Sequence, residues 1–266
     1  MSLFSSARPQ PAIAEPNHWP ESRCAKAFWS QRDALPYQEL LVDTTAWLDP
    51  QPGERWLDLG CGGGQLSRVL WEQSGGHLRE VVALDCAAAN AAAIARARLA
   101  FRPPASEAQV RFVHADFSHG LAALADAQFD GIVSGLAISY AESYSTERGV
   151  WTTDAYDRLL AELNRILRPQ GRLVFSTNVP EPNWLTIAVR GLPGVVQTPR
   201  PLRFLKNALR MLRYGTWLKR EARKGRFHYL PASVVADKLR ATGFTHIEQR
   251  VSFAGQAFVF RCRKSA

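Results

Sequence analysis

Cysteine is scarce in this 266-residue sequence, and its four copies, Cys24, Cys61, Cys86 and Cys262, lie far apart. There is no C-x-x-C pair and no histidine cluster at ligand spacing, so neither a disulfide framework nor a metal site is expected. Long apolar runs are missing as well. Nothing approaches the roughly 18 consecutive apolar residues of a spanning helix. The first twenty residues contain no signal-peptide core but do contain four prolines, which predicts a loose arm over 1–21. These absences point to a reduced, soluble, cytoplasmic protein. Apolar residues in general are plentiful, at 46% hydrophobic against 21% charged, enough for an ordinary core. No internal repeat occurs.

Acidic residues are outnumbered, 24 against 33 Lys and Arg, for a formal charge of +9. Such a surplus suggests nucleic acid or an anionic membrane as a partner, but it is not spread along the chain. Residues 190–230 hold eleven cations (Arg190, Arg200, Arg203, Lys206, Arg210, Arg213, Lys219, Arg220, Arg223, Lys224 and Arg226) and a single acid, Glu221. That stretch accounts for the whole surplus and leaves the rest close to neutral.

Outside it the pattern alternates. Apolar positions over 22–48, interrupted by Pro36, read as two short helices. Short apolar runs at 55–59, 80–84, 110–114, 129–134 and 172–176 suit buried strands. Helical patterns fill 65–73, 87–101 and 154–168, the last with an apolar stripe at Leu159, Leu160, Leu163, Ile166 and Leu167. Strand and helix in alternation imply parallel pairing through crossovers, a doubly wound α/β sheet. A helix over 231–242 follows, then strands over 245–251 and 254–262, whose short link demands an antiparallel hairpin. One domain over 22–266 results, with 180–230 a basic helical cap insertion. Within the cap, 202–219 sets Phe204, Leu205, Ala208, Leu209, Met211 and Leu212 on one helical side and Arg203, Lys206, Arg210 and Arg213 on the other. That pattern suits packing on the core, or lying in a membrane surface with Tyr214 and Trp217 near its end.

The first strand runs into Gly60-Cys61-Gly62-Gly63-Gly64-Gln65. Glycines there let backbone approach a ligand, and the following helix offers unpaired N–H groups. Gln65 occupies the third glycine position of the dinucleotide fingerprint, which weighs against an NAD-dependent dehydrogenase. Asp58 precedes the loop, Asp85 ends the second strand where an acid can accept from ribose hydroxyls, and Asp116 follows the third. Helix or turn capping is the structural alternative for both later acids.

The stretches LDLGCGGG, ALD, ADF, FDGIVSGLA and LNRILRPQGRLVFST, in this order, resemble the class I methyltransferases that use S-adenosylmethionine. The resemblance covers roughly 37–178 and, more loosely, 229–262. It implies a seven-stranded Rossmann-like sheet of order 3-2-1-4-5-7-6 with the last strand reversed, and N-terminal helices as a lid. It further implies Asp58 as the acid holding the methionine part, Gly60, Cys61, Gly62 and Gly64 as the platform beneath it, Asp85 as the ribose acid with Cys86 against the adenine, Asp116 and Phe117 as adenine contacts, and Gly135 and Leu136 beside the sulfonium.

The methyl acceptor is less legible. No Asn/Asp-Pro-Pro-Tyr/Phe motif follows the fourth strand and no Pro-Cys pair occurs, which disfavours nucleobase chemistry; the stretch GLAISY resembles the small-molecule branch of the family, which implies a small, lipid-like or aromatic acceptor. Ser139, Tyr140 and Tyr144 are candidates for the acceptor side, and Trp29, Arg32 and Tyr37 for the lid. His228 and Tyr140 are the weak catalytic candidates, His119 is a further titratable option, and His114, within a strand, reads as a core or edge residue. The alternatives are an RNA methyltransferase whose cap grips phosphates, and a non-catalytic cofactor-binding module. The oligomeric state is not encoded in any pattern.

Overall fold

The computed structural model of the protein describes residues 19–20, 34–191 and 201–266. Strands Arg55–Leu59 (β1), Glu80–Asp85 (β2), Val110–His114 (β3) and Phe129–Ser134 (β4) run parallel, joined by Leu167–Asn178 (β7). Their inner positions are apolar on both faces, as in Trp56 beside Leu57 and Val81 beside Val82, all fully buried. Only a sheet covered by helices on both sides can bury such runs. The sheet has seven strands in the order β3-β2-β1-β4-β7-β9-β8. Phe244–Ser252 (β8) and Ala257–Lys264 (β9) form the antiparallel hairpin, with β9 reversed against β7. The implied order is therefore present, its numbers displaced by a small hairpin of Ser143–Ser145 (β5) and Val150–Thr152 (β6) that pairs separately.

Helices Leu35–Thr45 (α1), Gln65–Gln73 (α2) and Ala89–Leu99 (α3) cover one face, where Leu40, Leu70, Trp71 and Ile94 pack on Trp56, Val81 and Val133. Asp154–Ile166 (α4) and Ala232–Ala241 (α7) cover the other. On α4 the residues Tyr156, Leu159, Leu160, Leu163 and Ile166 are all fully buried, each such side chain stabilising the fold by about 1.5–3 kcal/mol. Several boundaries differ from expectation, β7 most of all, since it spans Leu167–Asn178 where the pattern predicts a helix to 168 and a strand over 172–176. Pro36 stands in the first turn of α1, where its missing N–H costs nothing, so it begins a helix instead of interrupting one. The β8–β9 link runs through Phe253 and Ala254, both at φ 56, so β9 starts later than the sequence pattern suggests. The arm over 1–18, and Trp29 and Arg32, lie outside the described residues.

The stretch expected to act as a cap contains the helices Trp184–Gly191 (α5) and Pro201–Arg223 (α6). Of the apolar side assigned to α6, the side chains of Phe204, Leu205, Ala208 and Met211 lie outside the described residues, Leu212 is half-buried and Leu209 is 57% exposed. The face that packs is the later one, Gly215, Leu218 and Glu221, of which Leu218 joins a cluster with Tyr140, Phe227 and Tyr229. Its basic character is also partly spent internally. Arg223 and Lys219 meet Glu181 at 2.8 and 2.7 Å, and Arg226 is buried against Glu142 and Glu221 at 2.9 and 3.5 Å. Among the described residues, no helix is long and apolar enough to cross a membrane.

Candidate active site

The carboxyl ends of β1, β2, β4 and β7 converge on one cleft. Switch points of open α/β sheets are where such folds take ligands. Below the cleft, the N–H groups of Gly60 and Cys61 both donate to Leu84 O, at 2.8 and 3.0 Å, which ties the glycine loop to the end of β2. Gly60 has φ +72, and a Cβ there would stand 2.3 Å from Ala137 Cβ, so the turn after β4 can lie directly on it only while the residue is glycine. Gly62, at φ +49 with nothing within 4 Å of the Cβ position, presents bare backbone to the cleft. Gly64 is different. It caps α2 and faces Ile94, outside the cleft lining.

Three acids line the cleft. Asp58 is fully buried; its Oδ2 accepts from Ser67 N and Oγ at 2.9 and 2.6 Å, while Oδ1 has no partner. Burial pushes its pKa up to about 7, outweighing the Ser67 hydrogen bonds, with Asp85 adding repulsion. Asp85 accepts from Ala87 N through Oδ1 and from Gly62 N through Oδ2, at 2.8 and 2.9 Å. Burial raises its pKa despite these bonds. Because a carboxylate offers about four acceptor directions, Asp85 braces the loop and keeps capacity toward the cleft. Asp116 accepts from Ser118 N at 2.8 Å and caps the turn Phe117–His119. Asp116 thus combines a turn cap with a place in the cleft, whereas Asp85 accepts from Ala87 N ahead of α3, whose N-cap is Ala88 without a side-chain bond.

Cys61, Cys86, Phe117, Gly135 and Leu136 also line the cleft. Leu136 has φ 56, a strained conformation for a side chain of this size, and its N–H donates to Ser176 Oγ at 3.0 Å. Burial raises the thiol pKa of both Cys61 and Cys86. Tyr37 reaches the cleft from α1, and its phenol is pushed up to about 12 by burial and then by Asp58. Tyr140 enters beyond β4, but Ser139 and Tyr144 do not join the lining. Ser139 bonds Thr177 at 2.7 Å, and Tyr144 packs edge-on to Trp151. His228 is absent from the lining too. Its Nε2 lies 2.9 Å from Ala141 O, its backbone N–H donates to Ser139 O, and burial lowers its pKa. His228 thus holds the turn Ile138–Tyr140. His114 lies at the sheet edge against Cys86 O.

Sequence patterns missed Asn178, Trp184 and Phe253, all in the lining. Asn178 ends β7 beside β4, and a rule that takes polar residues at the carboxyl ends of central strands would have found it. Trp184 and Phe253 carry no such signal.

The family model described as a methyltransferase domain matches residues 57–175, the span that holds the glycine loop and all three acids. Over that span, a little under half of its length, the chain is similar to a methyltransferase domain. No curated protein matches it significantly. Among solved structures, an S-adenosylmethionine-dependent methyltransferase from Mesorhizobium loti is 21% identical, covering 84% of this chain and 96% of that one at a TM-score of 0.54. The Burkholderia thailandensis 1,6-didemethyltoxoflavin-N1-methyltransferase, solved with its acceptor and S-adenosylhomocysteine, is 19% identical over 96% and 94% of the two chains, at 0.50. A chain of the Haloferax volcanii complex between the Trm112 activator and a methyltransferase is 15% identical over 92% and 98%, at 0.59. At these identities the likeness is one of fold. The cofactor of this methyltransferase domain is S-adenosylmethionine, and the cleft's chemistry suits it. Asp58 Oδ1 is an unpartnered buried acceptor of the kind an ammonium group satisfies, and Gly62 leaves room for a ligand against the main chain.

Proposed function

We propose that this methyltransferase domain moves a methyl group from S-adenosylmethionine to a small molecule bound at the Tyr140 and Asn178 end of the cleft. The observation that carries this reading is Asp58. A fully buried carboxylate with one oxygen unpartnered is costly to fold and is explained by a cationic ligand group. In this reading Asp58 takes the amino group of the methionine part, and Asp85 accepts from the ribose hydroxyls. Cys86 lies beside the adenine, Asp116 and Phe117 hold its edge, and residues 60–63 with Gly135 and Leu136 form the walls between.

The bound cofactor supplies an activated methyl carbon, so the protein's share is alignment and exclusion of water. Leu136, pinned by Ser176, fixes the wall nearest the reacting centre. Trp184, Tyr140 and Phe253 give the acceptor side an apolar, aromatic surface. Burial pushes the Tyr140 phenol up to about 12, against its bonds to Tyr229 and Asn178, so at neutral pH it orients a substrate as a protonated group and does not remove a proton.

A second observation bears on where the acceptor comes from. Leu185 and Val189 on α5 and Leu209 on α6 are exposed, and so are Arg190, Arg213 and Arg220. Apolar and cationic side chains together on the cap support a contact with an anionic membrane surface, as for a lipid-soluble acceptor.

The test is transfer of labelled methyl from S-adenosylmethionine into separated lipid, small-metabolite and RNA fractions, alongside calorimetry with S-adenosylhomocysteine. Label in small molecules or lipids is expected. Label in RNA alone would transfer the proposal to nucleic acid, and failure to bind S-adenosylhomocysteine would refute it.

A further inference from the structure

Two more buried polar atoms in the same cleft have no partner, and both stand on the acceptor side. Asn178 is fully buried and lines the cleft. Its Nδ2 donates to Tyr140 Oη at 3.3 Å, but Oδ1 accepts from nothing. Trp184 lines the cleft as well, and its indole Nε1–H, buried from solvent, donates to nothing. Unpartnered groups of this kind are rare because each carries a desolvation cost. Here one is an acceptor and the other a donor, set among aromatic rings.

The surrounding chain is shaped to keep them in place. Tyr140 and Tyr229 share a hydroxyl contact of 2.9 Å, and Trp19 packs on Tyr140 with centroids 4.4 Å apart. These contacts fix the phenol to which Asn178 is bonded. Trp184 is seated by α6, which carries a glycine at 215 in mid-helix, where glycine is unfavourable. A Cβ at Gly215 would stand 2.3 Å from the Trp184 ring. The glycine is thus explained by the indole that lies against it.

We infer that Asn178 and Trp184 are specificity residues for a planar, uncharged aromatic or heteroaromatic acceptor that carries both an N–H or O–H donor and a carbonyl-type hydrogen-bond acceptor. The inference rests on the methyltransferase reading, because it takes this end of the cleft as the acceptor side. Asn178 Oδ1 receives the ligand's donor, Trp184 Nε1–H gives to its carbonyl, and the rings of Trp184, Tyr140 and Phe253 cover its faces. A ligand lacking either edge group leaves one protein atom buried and unpaired, which discriminates more strongly than loss of apolar contact does.

Equilibrium dialysis of the full chain, saturated with S-adenosylhomocysteine, tests this with two probes. 2-Quinolinone has both ring N–H and carbonyl; 1-methyl-2-quinolinone keeps only the carbonyl. The wild type is expected to bind the first at least about ten-fold more tightly. Asn178→Leu should abolish that ratio, and Trp184→Phe should weaken both probes alike and leave their ratio intact. Gly215→Ala should weaken both by displacing the indole. S-adenosylhomocysteine affinity, measured separately, should stay within about two-fold in Asn178→Leu and Trp184→Phe, a control for folding. Equal affinity of the wild type for the two probes, survival of the ratio in Asn178→Leu, or no saturable binding of 2-quinolinone would overturn the inference. A wild-type chain that fails to bind S-adenosylhomocysteine overturns the methyltransferase reading itself, which separates the two failures.

Discussion

Replacing Asp58 by Asn tests the site through the stability it costs. Burial pushes the Asp58 pKa from 3.8 to about 7. Between these values the native state binds more protons than the unfolded chain, so this residue's contribution to stability is present below about pH 4 and is lost as pH rises through 7. At about 1.36 kcal/mol per unit, the ionised carboxylate costs about 4 kcal/mol at pH 8. Asparagine keeps an oxygen for Ser67 and does not titrate. Asp58→Asn should therefore be more stable than wild type at pH 8 by about 1 to 4 kcal/mol, with the gain shrinking toward zero near pH 4. Denaturant unfolding at a series of pH values measures the difference directly and cancels every group the two proteins share. Binding should move the other way. Losing the charge removes a charge-assisted hydrogen bond to the ligand's ammonium, about 1.5–3 kcal/mol, so S-adenosylhomocysteine should bind roughly ten- to a hundred-fold more weakly. A variant less stable than wild type at pH 8, or a difference that is flat across pH, would refute the account of Asp58 as a buried carboxylate with a free oxygen.

Arg226→Ala leaves Glu142 and Glu221 buried without their shared guanidinium and should cost about 3–5 kcal/mol at pH 8, measured by thermal or denaturant unfolding. Because burial already lifts Glu142 to about 7 with Arg226 present, and losing Arg226 lifts it further, that loss should shrink as pH falls toward 7. Gly60→Ala drives a methyl group into Ala137 and should lower cofactor affinity in calorimetry far more than Gly53→Ala, which meets nothing within 4 Å. Alkylation of Cys86 should be slow at neutral pH, because burial raises its thiol pKa, and slower still with S-adenosylhomocysteine bound; equal rates with and without ligand would remove Cys86 from the site. Arg190→Glu with Arg213→Glu should reduce co-sedimentation with anionic vesicles at low salt, and an unchanged pellet would end the membrane reading of the cap.

Much of the fold was legible because its signals are local. The runs RWLDL and EVVALD, the α4 stripe and the glycines after β1 each encode an element within a few residues, and parallel connection follows from their alternation. The acids at 58, 85 and 116 were legible for the same reason: each stands at or just past the carboxyl end of a parallel strand. The β5–β6 hairpin escaped because strands of three residues show no period that a pattern can detect.

Sequence by itself determined the sheet, the loop and the cofactor class, since spacing along the chain fixes which residues reach the carboxyl edge. Tertiary structure alone decided the lining proposed for the acceptor side. Asn178, Trp184, Gly215 and Phe253 come from four separate segments, and nothing in their local sequence tells that they meet. The basic surplus divides the same way. Its location in 190–230 is a matter of counting, but which cations are exposed and which are neutralised depends also on Glu181 and Glu142 being brought to them by packing, because a charge's energy is set by what lies within a few ångströms and not only by its neighbours in sequence.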